Sequence, residues 1–318
     1  MTYDYLIVGA GLSGCVFAER IAAQLGKRVL VIDERPYVGG ITHDYRNDDG
    51  LLVQNHGLHV FHTQNRTVFA YLEQFGEWTL SQTRVLSFVE GKLLPMPLNM
   101  DSIERLYGMT LRSPEEARAF YAKAKEPSTP AGNAEEMAIR RVGRDLYRRC
   151  FEGYTRKWWG IDPKKLPSDL TARIVMRPSR QAHFQNDRYQ GVPKDGFTRL
   201  FERMLAHKNI TLLLNTRFRG LSASYDHLIY TGAIDEYFDY ALGRLPYRSM
   251  RFEYETLDAE WHQPCHQINY PNDHDYMRVF EFKHATAQKH PKTTIIREYP
   301  RPAEAGMELS YPIPLPEN

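Results

Sequence analysis

The sequence predicts an α/β fold: a parallel βαβ unit, a helical insert and an antiparallel sheet. Three observations predict it. An apolar run at 3–8 (YDYLIV) leads into GAGLSG at 9–14, then a helical pattern and a second strand (RVLVI, 28–32) ending on Asp33. Asp101…Glu104, Ser113…Glu116 and Asn133…Glu136 each set a capping residue three before an acid, as a run of helices does. Late in the chain, 250–256, 276–282 and 293–299 alternate as strands do.

The opening strand is short and apolar, so it reads as buried. In the helix that follows, Cys15, Phe17, Ala18, Ile21, Ala22 and Leu25 carry the apolar pattern, and Gly26 ends it. Each glycine of G-x-G-x-x-G has a job. Gly9 permits the tight turn, Gly11 lets a pyrophosphate approach the backbone at the helix N-terminus, and Gly14 lets the helix pack closely on the strand. Asp33 is placed to accept hydrogen bonds from a ribose. In this context the glycines predict a Rossmann-like dinucleotide-binding domain. An acid at that position repels a 2′-phosphate, which disfavours NADP. FAD and NAD both stay open, and the second glycine pair, Gly39-Gly40, favours FAD. It resembles the turn that passes close to the flavin in glutathione-reductase-like enzymes.

Residues 84–94 (RVLSFVEGKLL) read as a hairpin turning at Glu90-Gly91. The helical insert follows from Asp101 to about Phe151, with Pro114 at a first helical position and Ile139, Val142 and Leu146 as a packing stripe. A helix at 196–205, a strand at 210–214 and a short strand at 228–232 return the chain to its first domain. The expected division is 1–80 plus 190–244, with the C-terminal end 305–318, for the dinucleotide; 100–185 for a helical substrate or lid domain; and 81–99 plus 245–304 for an antiparallel sheet domain.

Composition excludes several classes. The 318 residues hold 41 basic and 39 acidic side chains, a net +2, without the strong positive field of a nucleic-acid binder. No apolar run reaches the length of a membrane span. The N-terminus lacks a signal-peptide pattern, and Cys15, Cys150 and Cys265 are odd in number and far apart, so the expected compartment is the reducing cytoplasm. His56, His59 and His62 recur every three residues without a fourth ligand, so no metal site is expected. His262, Cys265 and His266 cluster around Pro264 and read as a loop. No Ser–His–Asp order or Cys–His pairing stands out.

The segments GLHVFHT (57–63), GYTRKWWG (153–160), TAR (171–173), LPYRS (245–249), NYPND (269–273) and EFKH (281–284) follow the fingerprint in that order. Together they closely resemble the UDP-galactopyranose mutase family over nearly the whole chain. The resemblance implies an α/β FAD-binding Rossmann-like domain with a helical insert and an antiparallel sheet. It implies an isomerase that interconverts UDP-galactopyranose and UDP-galactofuranose, with reduced FAD as the active form. There the flavin N5 attacks the anomeric carbon and displaces UDP. The sugar opens and recloses through O4, UDP returns to the anomeric carbon as the flavin departs, and no net redox change results.

The resemblance also implies roles. Arg173 and Arg278 match two phosphate-binding arginines, the residue type suited to fork-like phosphate contacts. Arg248 matches a further substrate-side arginine, Tyr154 the residue stacked on uracil, Trp159 a tryptophan beside the mobile lid, and Tyr311 a phosphate-contacting tyrosine. His59 matches the histidine beside the flavin ring; with Arg173 and Arg278 it makes the expected catalytic set. Trp158 reads as core. The expected cofactor set is Gly9, Gly11, Leu12, Ser13, Gly14, Asp33, Glu34, Gly40 and His59. Phe184 stands where the family pattern has Tyr, Gln181-Ala182 replaces an acidic pair, Ile41 replaces Asn, and Leu58 replaces Pro. That pattern runs on past Asn318, with a Gly-Arg motif and a closing helix that helps bind FAD. The expected partner is a UDP-sugar, with room left for a homodimer. Alternatives are a mutase acting on another nucleotide sugar, with Phe184 as its footprint, an amine-oxidase-like flavoenzyme, and a nucleotide-sugar binder without flavin. GYTRKWWG and the paired arginines count against the oxidase.

Overall fold

In the computed structural model, which describes residues 2–126 and 130–315, the opening βαβ unit forms as its sequence dictates. Two compact units share the chain. One holds Met1–Ser81, Asp187–Arg244 and Ala285–Gln288; the other holds Gln82–Asn186, Leu245–His284 and Lys289–Asn318.

In the first unit, four parallel strands run in the order Ile210–Leu213, Val29–Ile32, Thr2–Val8, Ser224–Tyr230. Leu6 pairs with Leu30 on one side and Leu228 on the other. All four residues of Val29–Ile32 are buried, which is why that strand is continuously apolar rather than alternating. On one face, helix Leu12–Leu25 buries Cys15, Ala18, Ile21 and Ala22 in a core shared with Leu200, Phe201 and Met204 of helix Phe197–Leu205. The helical period of those apolar positions makes one stripe, and burying it stabilises the pair of helices. On the other face, Leu6, Leu30 and Ile32 pack with Phe218, Leu221 and Tyr225. A small antiparallel sheet, Phe61–Thr63, Tyr189–Pro193 and Trp78–Leu80, completes the unit.

The second unit is built on a seven-stranded sheet. Its order is Tyr311–Pro312, Tyr247–Leu257, Thr293–Pro302, Arg278–Glu281, Gln267–Asn269, Val85–Val89, Lys92–Met96. The expected hairpin forms and turns at Glu90-Gly91. The sheet is not purely antiparallel, however: Val85–Ser87 pair in parallel with Gln267–Asn269. The hairpin leaves one edge free, and a strand some 180 positions later in the chain fills it in the same direction.

Ser113 and Asn133 cap helices Pro114–Ala124 and Ala134–Val142 by accepting the Glu116 and Glu136 N–H groups. The first cap departs from expectation. Asn99, not Asp101, caps Met100–Tyr107, with Ser102 returning the bond to the Asn99 N–H. Ile103, Leu106, Ile139, Val142 and Leu146 of the helices share one core with Val89 and Leu94 of the sheet. Helices and sheet therefore form one unit, not the two domains expected. The C-terminal segment also belongs here rather than with the dinucleotide-binding domain, because Tyr311–Pro312 pairs with Tyr247 and Arg248. Residues 316–318 of that expectation lie outside the described residues. Among the described residues no helix is long and apolar enough to cross a membrane.

Candidate active site

The glycine turn of the first unit is drawn tight by its own backbone. Gly9 has φ +104°, and a Cβ there would stand 2.1 Å from Thr231 Oγ1. A Cβ on Gly14 would stand 1.9 Å from the Gly9 carbonyl oxygen, so helix and strand touch backbone to backbone. Gly11 differs: a Cβ there meets nothing nearer than Gly40 Cα, at 3.9 Å. Gly11 is the N-cap of helix Leu12–Leu25, without a side-chain cap or an acid in the first turn. The first-turn amides at Leu12, Ser13 and Gly14 thus sit beside open space at the positive end of a long helix. That is the arrangement an anionic group such as a pyrophosphate requires, so the residues present fit a dinucleotide. Gly39 donates its N–H to the Ala10 carbonyl at 2.8 Å, bringing the second glycine pair against the first.

Asp33 is buried at 4% exposure and spends its carboxylate on the protein. Oδ2 accepts the Ala10 N–H at 2.8 Å and Oδ1 the Arg35 N–H at 2.9 Å. The expected ribose acceptor therefore fixes the glycine turn. Glu34 is the exposed acid beside it. His59 lies on a loop that Gln54 clamps from both sides: Gln54 Oε1 accepts the His59 N–H at 2.6 Å, and Nε2 donates to the His59 carbonyl at 3.1 Å. His59 Nδ1 lies 3.1 Å from the Gly57 carbonyl. Nothing in the local sequence marks Gln54 for this work.

The second unit gathers most of the expected substrate residues. Arg278 and Glu298 face each other across paired strands and form a buried ion pair through Arg278 Nε. The Arg278 guanidinium lies 4.7 Å from the Trp158 ring centroid and 5.0 Å from that of Phe280. Burial works against the Arg278 cation, but Glu298 more than offsets it, so the pKa of the guanidinium is raised. Tyr154, on helix Gly153–Trp159, has its phenol pKa raised by burial and feels both Arg278 and Arg173. Tyr311 packs its ring 5.7 Å from Trp158 and 5.4 Å from Trp159. Its hydroxyl and the Trp158 Nε1 are buried without a hydrogen-bond partner among the described residues. Arg173, at the end of the short helix Asp169–Ala172, is exposed.

Four further residues of the expected set and its neighbours have these settings. Arg248 is buried and donates to the carbonyls of Trp158, at 3.0 Å, and Lys157, at 3.2 Å. Trp159 joins an apolar cluster with Ala134, Leu166 and Ile313, whereas Trp158, expected in the core, carries Arg278 on its ring. Phe184 is 40% exposed, its backbone held by Thr83 and Arg177. Glu298 went unnoticed in the sequence. Its signal is an acid on a buried strand position, since Thr293–Pro302 also buries Thr294 and Ile296. Of the histidines, His62 pairs with Asp187. Among the described residues no three His, Cys, Asp or Glu side chains converge as metal ligands.

The family profile described as UDP-galactopyranose mutase matches residues 149–318, and one described as an NAD(P)-binding Rossmann-like domain matches 7–75. The chain is 35% identical over 315 residues to a probable UDP-galactopyranose mutase of Klebsiella pneumoniae, spanning 98% of this chain and 81% of that protein. It is 33% identical over 321 residues to the dTDP-fucopyranose mutase of Escherichia coli, spanning 98% and 85%. A crystal structure of reduced UDP-galactopyranose mutase shares the fold, with a TM-score of 0.74 at 16% identity over 99% of this chain and 85% of that one. With a Rossmann-like dinucleotide-binding domain and relatives of this kind along nearly its whole length, the chain belongs to the UDP-galactopyranose mutase family of isomerases.

Proposed function

We propose that the chain interconverts UDP-galactopyranose and UDP-galactofuranose with FAD as its cofactor, active in the reduced form. One observation carries the substrate class. Arg278 and Arg173 both act on the Tyr154 phenol, and Glu298 is the one carboxylate paired with either among the described residues. The cluster thus keeps net positive charge beside half-buried aromatic rings. A nucleotide sugar brings a diphosphate with two negative charges and a flat base, and so complements both features.

When bound and reduced, FAD supplies the nucleophile for the anomeric carbon without net oxidation. The chain's own residues bind and orient. The first-turn amides beyond Gly11 hold the FAD pyrophosphate, and Asp33 keeps that turn in shape. Glu34, exposed beside Asp33 and paired with Arg217, would reach the ribose, and His59, on its clamped loop, would lie beside the flavin ring. Arg173 and Arg278 hold the diphosphate, so that charge growing on the departing UDP meets fixed cations. Tyr154 stacks on the base, and the Tyr311 hydroxyl donates to a phosphate.

A second reading has its own support: Phe184 in place of Tyr, together with the near-equal identity to a dTDP-fucopyranose mutase, favours another nucleotide sugar. Incubating the reduced, FAD-loaded protein with UDP-galactopyranose and, separately, with dTDP-fucopyranose, then separating products by ion-pair chromatography, decides between them. A furanose product from the UDP sugar alone supports the first reading. A product from the dTDP sugar alone supports the second, and none from either rejects both.

A further inference from the structure

Arg248 lies on the strand Tyr247–Leu257 at 5% exposure, and its two hydrogen bonds run to the end of helix Gly153–Trp159. The acceptors, the Trp158 and Lys157 carbonyls, are among the last of that helix and have no partner within it. The third nitrogen lies against Gly160, which adopts φ +67°; a Cβ there would stand 2.4 Å from Nη1. No carboxylate pairs with this guanidinium among the described residues, and the negative end of the helix is its counter-charge. A second tether holds the same helix. Lys157 Nζ donates to the carbonyls of Tyr270, at 2.7 Å, Asp273, at 2.7 Å, and His274, at 2.8 Å. Trp158, whose carbonyl Arg248 grips, presents its ring to Arg278.

We propose that Arg248 and Trp158 are positioning residues for Arg278. Arg248 fixes the helix end, the helix end fixes the Trp158 ring, and the ring with Glu298 sets the plane of the Arg278 guanidinium toward a diphosphate. This reassigns Arg248 from the substrate contact that family resemblance implies, and Trp158 from core. It rests on the reading of Arg278 as a diphosphate ligand.

Calorimetric titration of UDP into the FAD-loaded protein tests it, using Arg248→Met, Trp158→Leu and Trp158→Phe, each alone and on an Arg278→Ala background. Arg248→Met and Trp158→Leu should each weaken UDP about tenfold, and together no more than either alone. Trp158→Phe keeps a ring face and should lose less than about threefold. On the Arg278→Ala background none of the three should weaken UDP further. A full tenfold loss from Arg248→Met on that background means that Arg248 grips the diphosphate itself, and overturns the proposal. Unchanged affinity in Trp158→Leu overturns it too. Where Trp158→Leu does not fold, Arg248→Met with and without Arg278→Ala carries the test. If Arg278→Ala alone leaves UDP affinity unchanged, the diphosphate reading fails first, and that outcome is separate from the others.

Discussion

Glu298 stands directly across the sheet from Arg278 and takes its Nε in an ion pair 1% exposed on the glutamate side. Removing one member of such a pair leaves the other buried without compensation, which costs more than the pair itself contributes. Glu298→Gln keeps the shape and an acceptor but not the charge. It should destabilise the protein by about 1–3 kcal/mol, read from urea unfolding, and raise KM for the nucleotide sugar as Arg278 loses its fixed direction. An unchanged unfolding midpoint with unchanged KM would argue that the pair is a bystander.

Arg173 and Arg278 are each assigned charge-assisted bonds to the diphosphate, worth about 1.5–3 kcal/mol apiece. Alanine at either position should lower kcat/KM about ten- to a thousandfold, with flavin content unchanged. Lysine should restore only part, since it keeps the charge and loses the fork. Steady-state kinetics on flavin-normalised protein provides the check. Near-normal values in both alanine variants would mean that neither arginine holds the diphosphate.

The glycines separate by the space before them. Gly14→Ala drives a Cβ to 1.9 Å from the Gly9 oxygen, and overpacking of that kind costs about 1–3 kcal/mol even without cofactor. Gly11→Ala meets no protein atom closer than 3.9 Å, so the flavin-free protein should melt as the wild type does. Its FAD affinity should fall at least about tenfold, because the methyl occupies the room left for the pyrophosphate. Thermal melts of the flavin-free proteins beside FAD titrations read both effects. Equal FAD affinity in Gly11→Ala would place the cofactor elsewhere.

Glu104 accepts from both terminal nitrogens of Arg180 at 2.8 Å and from the Leu111 N–H at 2.7 Å. The Arg180 bonds, then the Leu111 amide, hold its carboxyl down to about 2 from the ordinary 4.5. An acid whose folded pKa lies below its unfolded one stabilises the native state above the unfolded value. That stabilisation is lost as pH falls through 4.5 toward 2. Wild type should therefore resist urea better than Glu104→Gln at neutral pH, with the difference shrinking as the pH is lowered through that window. A difference that stays constant with pH would contradict the assignment.

How legible each feature was depended on how far apart its partners lie in the chain. Ser113 and Asn133 were readable as caps because their partners are three residues away. The first cap escapes that pattern because Asn99 answers to Ser102, a pairing that lacks an acid. The βαβ unit was legible because strand, glycines, helix and acid follow one another without a break. Asp33 was placed correctly at the strand end, but only the fold shows its carboxylate turned back on Ala10. Trp158 and Trp159 are adjacent, and nothing local says which one meets Arg278, more than a hundred residues later. The parallel pairing of Val85–Ser87 with Gln267–Asn269 was hidden for the same reason.

Pyranose–furanose interconversion on a nucleotide sugar with reduced FAD should consume no reductant. Its most direct measurement follows UDP-galactofuranose by chromatography with the FAD-loaded protein, once reduced by dithionite and once left oxidised, under anaerobic conditions. Many turnovers to UDP-galactopyranose per flavin are expected in the reduced sample, and little or none in the oxidised one. Equal turnover in both samples, or one equivalent of reductant spent per product, would contradict it.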